Sequence, residues 1–374
     1  FPLELPRRLI NLMCPRQVCT ECGQPRRRIT TTEQTPTRST NGRKHYAAGT
    51  MTEHFALRTE AVVTTVGWTD CGHNAWRNGI VLDPFAGSGT TLAAAAGLGR
   101  DAIGIDIGGT FTDFALLKGS EVILHKNLST PADRSLGVME GLDALAAREG
   151  LSTRDFLARC EAIVHGTTVA DNTLIEMNGA LTGLITTDGF RDEIEYRRGF
   201  KEDIWDVRLP APKPITPRRR RLTVSERILH DGSVHKELAE GAVREACRRL
   251  RLQNVEAVAI SFLFSFVNPE HERRAKEIVT QEIQNAYICA SHEVLPRAPE
   301  YDRTSTTVVN AYVGPRVTSY LERLVSRLAE GGYKNQLMVM QASGGVMTKE
   351  YIDGAPIRVL ASGPAGGVVG SAHV

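Results

Sequence analysis

From about residue 80 onward, apolar residues come in short runs broken by glycine and charge, whereas residues 1–50 are rich in Arg and Thr and poor in apolar clusters. Short apolar runs bounded by turn residues predict strands, and longer stretches with apolar positions at helical spacing predict helices. The first run, Ile80 to Leu82, predicts a strand ending in Asp83, followed by a small-residue helix from Thr91 to Leu98. From Ala102 the predicted order is three strands (103–107, 113–117, 121–127), a helix (132–149), a strand (162–165), a helix (168–178) and a strand (180–186). The longest apolar run, Ala257 to Val267, is interrupted by serines and predicts a buried strand, and a long helix is predicted over 302–330. The stretch from Arg26 to Met51 holds too few apolar residues to offset its ordering entropy and is expected to be mobile.

The 374 residues suffice for two or three domains. A hydrophobic content of 41% and a charged content of 24% are ordinary for a globular protein, and a net charge of +2 argues neither for nor against a nucleic-acid partner. No apolar run approaches the ~20 residues of a membrane span and no signal peptide is visible, so a cytoplasmic protein without membrane contact is expected. Seven scattered cysteines agree with a reducing compartment. The chain opens on Phe1 rather than Met, which reads as a fragment. Cys19 and Cys22 form a C-x-x-C, and Cys71 and His73 lie downstream. These four are candidate zinc ligands, the alternative being reduced, unliganded cysteines.

The string from Gly79 to Thr91 places a glycine-bearing loop, Asp83-Pro-Phe-Ala-Gly87-Ser-Gly89-Thr90, after an apolar strand. Glycine lets the backbone approach a ligand closely, and an acid about 20 residues further on, here Asp106, suits a ribose hydroxyl pair. The full DPFAGSGTT string, with FPLELPRRLI before it, resembles the S-adenosylmethionine loop of DNA methyltransferases acting on exocyclic amines of adenine or cytosine. That resemblance implies that Asp83, Gly87 and Gly89 line the methionine end of S-adenosylmethionine and that Asp106 meets its ribose. The chain departs from this family in having no Pro-Pro pair, hence no D/N/S-P-P-Y/W/F motif to hold the target amino group. A partial Rossmann-like remnant is therefore expected, with DNA a partner only through it.

A second pattern begins on the same strand: Asp106-Ile-Gly108-Gly109-Thr110-Phe-Thr112-Asp113. An apolar strand delivers a carboxylate to its end, two glycines form a tight turn whose N–H groups can face phosphate oxygens, Thr110 and Thr112 add hydroxyls, and the chain returns as a strand. Unlike a Walker loop, this phosphate loop closes a hairpin. Asp106 and Asp113 can hold Mg²⁺ through its waters. His165, followed by Gly166, Thr167 and Thr168 at a helix start, offers a place for a phosphate or a polar substrate. Asp106 is thus claimed by both readings, and the fusion point falls on the shared G-I-D-I strand.

The hairpin resembles the first phosphate loop of the actin/hexokinase/chaperone ATPase superfamily, and the predicted element order implies a ribonuclease-H-like lobe. Within it, residues 102–374 resemble the hydantoinase A/oxoprolinase family, which includes acetone-carboxylase-type subunits. The resemblance is carried by His165-Gly-Thr-Thr-Val-Ala-Asp-Asn172, Gly183 to Asp192, Ser225-Glu-Arg-Ile228, Phe264 to Arg273, Glu293-Val-Leu-Pro296, Glu300 to Thr306, Asn310-Ala-Tyr312, Met340 to Gly345 and Ser362-Gly-Pro-Ala-Gly-Gly367. The expected fold class is α/β: an actin/hexokinase-like lobe plus part of the following α/β region, behind the methyltransferase fragment. The expected domains are residues 1–101 (methyltransferase fragment with a zinc-ribbon-like insert and linker), 102–300 (hydantoinase/oxoprolinase N-terminal domain) and 301–374 (start of the hydantoinase A domain). Arg218 to Arg221 read as a solvated basic run, and Glu300, Asp302, Arg303 and Thr304 as capping and ion-pairing groups or a substrate-side cluster.

The resemblance implies an ATP- and Mg²⁺-dependent hydrolase of cyclic amides such as hydantoin or 5-oxoproline, or a related ketone carboxylase subunit. In that family, Asp106, Asp113 and His165 become the candidate catalytic residues, and Gly108, Gly109, Thr110, Thr112, Thr167 and Thr168 the candidate phosphate or substrate contacts. A hydantoinase B-type subunit is the expected partner. A second phosphate loop is expected soon after 362–367, and the chain ends at Val374 ahead of it, so the chain is expected to be inactive alone. The alternatives are a DNA methyltransferase remnant and a nonfunctional chimera.

Overall fold

The computed structural model describes residues 102–108, 110–118, 121–130, 133–199, 205–206, 208, 213–363 and 365, and the backbone of four strands before them. The chain divides into two compact units, Phe1–Val81 and Leu82–Val374. In the first, β1 (Gln17–Cys19) pairs antiparallel with β4 (Trp76–Asn78), and β2 (Arg28–Thr37) with β3 (Arg58–Trp68). Strand β2 places residues 28–37 in a hairpin where mobility was expected, and the rest of the 26–51 stretch lies outside the described residues. Five of the strand's ten residues are threonine, whose branched Cβ favours extended backbone. The predicted strand at 80–82 and helix at 91–98 lie outside the described residues, as do Asp83, Gly87 and Gly89 of the methyltransferase reading and Cys22, Cys71 and His73 of the zinc reading. Of Cys19, only the strand is described.

The second unit is built on two sheets. The larger has six strands in the order β16-β15-β8-β5-β6-β7. β5 (Ala102–Ile107), β6 (Phe111–Lys118) and β7 (Glu121–Leu128) form an antiparallel meander. On the far side of β5, β8 (Ala162–Thr167) and then β15 (Leu337–Met340) add in parallel, and β16 (Val346–Thr348) turns back antiparallel. Three antiparallel strands with parallel strands added beside the first are the arrangement expected of a ribonuclease-H-like lobe.

Ile103, Ile105 and Ile107 of β5 are fully buried in one core with Phe114, Ile163 and Val339. Helix α1 (Arg134–Arg148) covers this face. Asp133 starts it by accepting the Ser135 N–H at 3.1 Å, which satisfies one of the unpaired donors of the first turn. Helices α2 (Thr153–Arg159) and α3 (Val169–Ile175) follow the same core.

The strand predicted at 180–186 does not join this sheet. β9 (Thr182–Thr187) belongs to a separate, all-parallel sheet with β10 (Arg221–Val224), β13 (Ala257–Ser261) and β14 (Tyr287–Ala290), in the order β10-β9-β13-β14. A fully buried strand reads as a plain apolar run, so its pattern does not say which sheet it enters. The run from Ala257 ends as a strand at Ser261, because Phe262 to Val267 turn away before the next helix. Between these strands run a small hairpin, β11 (Arg227–Ile228) with β12 (Val234–Lys236), and the helices α4 (Glu240–Arg251) and α5 (Glu270–Glu282), which close one face.

The two sheets share one element, α6 (Glu300–Glu330), 31 residues long. Its first half packs Val308 and Ala311 under the second sheet, and its second half packs Val317, Tyr320, Leu321, Leu324 and Leu328 under the first. The ribonuclease-H-like lobe is therefore discontinuous: residues 176–299 intervene between α3 and α6. A further short helix, α7 (Lys349–Gly354), packs Ile352 into the first core. Among the described residues, no helix is long and apolar enough to cross a membrane.

Helix α1 comes close enough to β6 that an added Cβ at Gly141 would sit 2.1 Å from Cζ of Phe114. An exposed helical Gly→Ala change normally gains up to about 1 kcal/mol. Here Gly141→Ala is expected to lower unfolding free energy by about 1–3 kcal/mol through overpacking, read from urea denaturation midpoints. An unchanged or raised midpoint contradicts this packing.

Candidate functional site

The strand register sets one row of residues across the larger sheet. Gly166 of β8 lies beside Asp106 of β5, Asp106 faces Asp113 of β6, and Asp113 faces Lys126 of β7. Residues level with one another in paired strands project to the same face, so this row holds two adjacent carboxylates and an amine. Asp106 is 7% exposed, and its Oδ1 is buried without a hydrogen-bond partner. Lys126 Nζ sits 3.0 Å from Asp113 Oδ1 and 5.0 Å from the centre of the Phe111 ring. Gly166 makes the room: a Cβ there would lie 3.0 Å from Asp106 Oδ1.

Burial first, and repulsion from Asp113 second, raise the Asp106 carboxyl from its ordinary value near 3.8 to about 7. Like charges directly opposite in an antiparallel pair are destabilising, and Lys126 compensates only the Asp113 side. A hard divalent cation fits this donor set, since carboxylate oxygens suit Mg²⁺. Among the described residues, no third His, Cys, Asp or Glu completes a metal cluster.

The hairpin turn beside this pair is held internally. The Gly108 N–H donates to the Phe111 carbonyl at 2.9 Å and so is not free for a phosphate. Ser129 ties the turn from outside: its N–H donates to the Thr110 carbonyl at 2.9 Å and its hydroxyl to the Gly108 carbonyl at 3.1 Å. Thr112 is fully buried, with its hydroxyl 3.0 Å from that of Ser129. Thr110 is exposed at the tip. Gly109 lies outside the described residues.

His165 is not brought to the carboxylates. It is level with Ile105 on β5, on the opposite face from Asp106 and Gly166, and is fully buried. Its Nδ1 lies 3.2 Å from the Ile105 carbonyl, which can only accept, so Nδ1 carries the proton and Nε2 accepts from the Tyr320 hydroxyl at 2.8 Å. Burial pushes its pKa down to about 4, leaving a neutral core imidazole. Thr167 and Thr168 are committed as well. Thr167 Oγ1 accepts the Val169 N–H at 3.3 Å, and the Thr168 hydroxyl donates to the Ile107 carbonyl at 2.9 Å, fastening the start of α3 to the end of β5.

Several other charged groups singled out in the sequence are bonded within the fold. Arg303 is 1% exposed and donates to the Phe262 carbonyl at 2.6 Å and to Ser291 Oγ at 3.1 Å, while Thr304 meets Ser261 at 2.8 Å. These bonds dock α6 onto the ends of the second sheet. Arg221, expected in a solvated run, is buried: it donates to the Thr216 carbonyl at 2.9 Å and pairs with Asp192 and Glu195. Glu226 is buried against Thr187 and against His271 Nδ1 at 2.8 Å. Sequence reasoning missed Gly166 and Lys126 as members of the carboxylate row. The signal was strand register, since both face the D-x-x-x-x-x-x-D pair only once β7 and β8 are paired.

A buried carboxylate pair beside a hairpin turn, on a meander flanked by parallel strands, fits the class of ATPase lobes built like actin and hexokinase. Residues 102–283 match the model of the hydantoinase/oxoprolinase N-terminal region, and residues 303–374 that of hydantoinase/oxoprolinase. This part of the chain belongs to the hydantoinase/oxoprolinase family. The alpha subunit of caprolactamase from Pseudomonas jessenii is 41% identical over 266 residues, covering 70% of this chain and 38% of that one. The acetone carboxylase beta subunit of Xanthobacter autotrophicus is 30% identical over 285 residues, covering 73% of this chain and 40% of that one. The crystal structure of the P. jessenii ATP-dependent caprolactamase superposes with a TM-score of 0.66 at 40% identity, over 71% of this chain and 39% of that one. The chain thus spans about two fifths of the length of these relatives. Residues 72–116 also match a DNA methylase model. In the described part of that span, Asp106 sits on a strand hairpinned antiparallel to 111–118.

Asp106 holds its proton in the folded state up to about pH 7 but releases it near 3.8 when unfolded. Rising pH therefore favours the unfolded state between those values, by on the order of 4 kcal/mol in total. Without metal, Asp106→Asn is expected to raise the melting temperature relative to wild type, by a margin that grows from pH 4 to pH 7 and then levels off. A margin independent of pH, or a loss of stability at pH 8, refutes the raised carboxyl.

Proposed function

We propose that this chain is part of an ATP-dependent enzyme subunit that activates a cyclic amide of the hydantoin or 5-oxoproline type, or a ketone in the related carboxylase reaction, with Asp106 and Asp113 as the seat of Mg²⁺. The observation that carries this reading is the unpartnered, buried Oδ1 of Asp106 opposite Asp113. Relatives named as a caprolactamase, a 5-oxoprolinase and carboxylases support ATP-driven activation of a carbonyl compound. Bound Mg²⁺ would neutralise phosphate charge as the γ-phosphoryl group moves to the amide or enolate oxygen, making that oxygen a leaving group.

This chain's own residues contribute position and charge. Asp106, pressed between Gly166 and Asp113, is fixed near the end of β5. Lys126 pairs with Asp113 and holds it in place. The Ser129 bonds keep the hairpin turn closed, with Thr110 as its exposed donor. His165 acts as a positioning group in the core, not as an acid or base. Several relatives carry subunit names, which supports assembly with a further subunit, of hydantoinase B type in this family. The antiparallel hairpin at 102–118 favours the ATPase role for Asp106 over a ribose contact to S-adenosylmethionine.

Calorimetric titration of the full chain with ATP in the presence of Mg²⁺ tests this directly. Saturable binding is expected in wild type, with affinity weakened about tenfold or more in Asp106→Ala, the equivalent of one charge-assisted contact. Equal affinity in the variant, with its fold intact, refutes the assignment.

A further inference from the structure

A cavity of about 170 Å³ opens between the start of α1, helix α3 and the middle of α6, on the helical side of the larger sheet. Asp133, Arg134, Asn172, Arg316, Tyr320 and Arg323 line it. Its chemistry is one-sided. Arg134 makes no ion pair among the described residues, and its Nε is buried without a hydrogen-bond partner. Arg316 donates only to the Asn178 carbonyl, at 3.1 Å, and also has no carboxylate partner among the described residues. Arg323 shares Asp133 with Arg327, at 3.5 and 2.9 Å. Among the lining residues, the three guanidinium groups of Arg134, Arg316 and Arg323 stand against two carboxylates, Asp133 and Glu176; Asp133 is further engaged by Arg327 from outside the cavity, and Glu176 already accepts from Asn178 Nδ2 at 2.7 Å.

A buried guanidinium nitrogen without a partner is costly, and oxyanions are the ligands whose geometry matches its planar fork of donors. The cavity is too small for a nucleotide, since drug-sized ligands take roughly 300–1,000 Å³. We propose that it is a binding site for a small oxyanion, a carboxylate or inorganic phosphate, held by Arg134 and Arg316 and separate from the Asp106 pair. The two sites lie on opposite faces of the sheet. Tyr320, a wall of the cavity, donates to His165, whose other nitrogen donates to the carbonyl of Ile105, one residue before Asp106. An anion in the cavity therefore abuts the bonded chain that sets the end of β5.

Thermal melting of the full chain in sodium phosphate, in sodium acetate and in sodium chloride of equal ionic strength tests the proposal without ATP. Phosphate, acetate or both are expected to raise the melting temperature saturably above chloride, as ligand linkage requires. Response to one alone identifies phosphate or carboxylate as the ligand class. Arg134→Gln and Arg316→Gln are each expected to weaken the response about tenfold or more, with Arg134→Lys retaining part of it. Asp106→Asn is expected to keep the full response, which separates this site from the nucleotide reading. No saturable rise in wild type overturns the proposal, as does an undiminished response in Arg134→Gln. Should that variant fail to fold, an undiminished response in Arg316→Gln overturns it equally.

Discussion

A carboxylate held out of water beside a second carboxylate is a liability in an unliganded fold, and the larger sheet is arranged around such a pair. Asp106 is near the end of β5, one of the two central strands, where burial and Asp113 together lift its pKa to about 7. Its neighbour in the row, Gly166, gives it space but no hydrogen bond. An apolar pair at these positions would cost the sheet nothing, and the proposed role of the two carboxylates in holding a cation accounts for their presence. The antiparallel register of β5 and β6 makes the pair. The parallel addition of β8 supplies the gap, and the third strand supplies Lys126.

The other face of the same sheet does the opposite job. There Ile103, Ile105, Ile107, Phe114 and Ile163 form a dry core, and His165 is tolerated only as a neutral ring with both nitrogens bonded. Helix α6 closes that face and continues under the second sheet, where buried Arg303 and Thr304 lock its first turns to the ends of the strands. One helix thus carries the packing of both sheets. Displacement of its far half would be felt at Tyr320, His165 and the base of the carboxylate strand.

Much of the first lobe was legible in the sequence because its signals are local. The D-I-G-G-T-F-T-D hairpin, the meander and the helices after it follow from apolar spacing and glycine placement within windows of a few residues. The site was legible only in part. Asp106 and Asp113 sit at hairpin positions that the sequence itself pairs. Gly166 and Lys126 enter the row through pairings with β8 and β7, which no local pattern specifies. His165, Thr112, Thr167 and Thr168 were plausible ligands by residue type, but strand alternation turns His165 to the core and the hydroxyls are consumed by nearby backbone and by Ser129. Strand β9 was seen as a strand but given to the other sheet, since a buried parallel strand carries no mark of its neighbours. Arg221 was misread because a run of four arginines conceals the one whose partners, Asp192 and Glu195, lie some thirty residues earlier.

The central claim is that Asp106 is a carboxyl kept near neutrality until a cation arrives. Carbon-13 NMR of the aspartate carboxyls in the full chain, with the Asp106 resonance assigned from its loss in Asp106→Asn, measures this titration directly. The account predicts a midpoint near pH 7 without metal, moving down by more than one pH unit in saturating Mg²⁺ as the cation favours the ionised form. A midpoint near 3.8 without metal, or one that Mg²⁺ leaves in place, would contradict it.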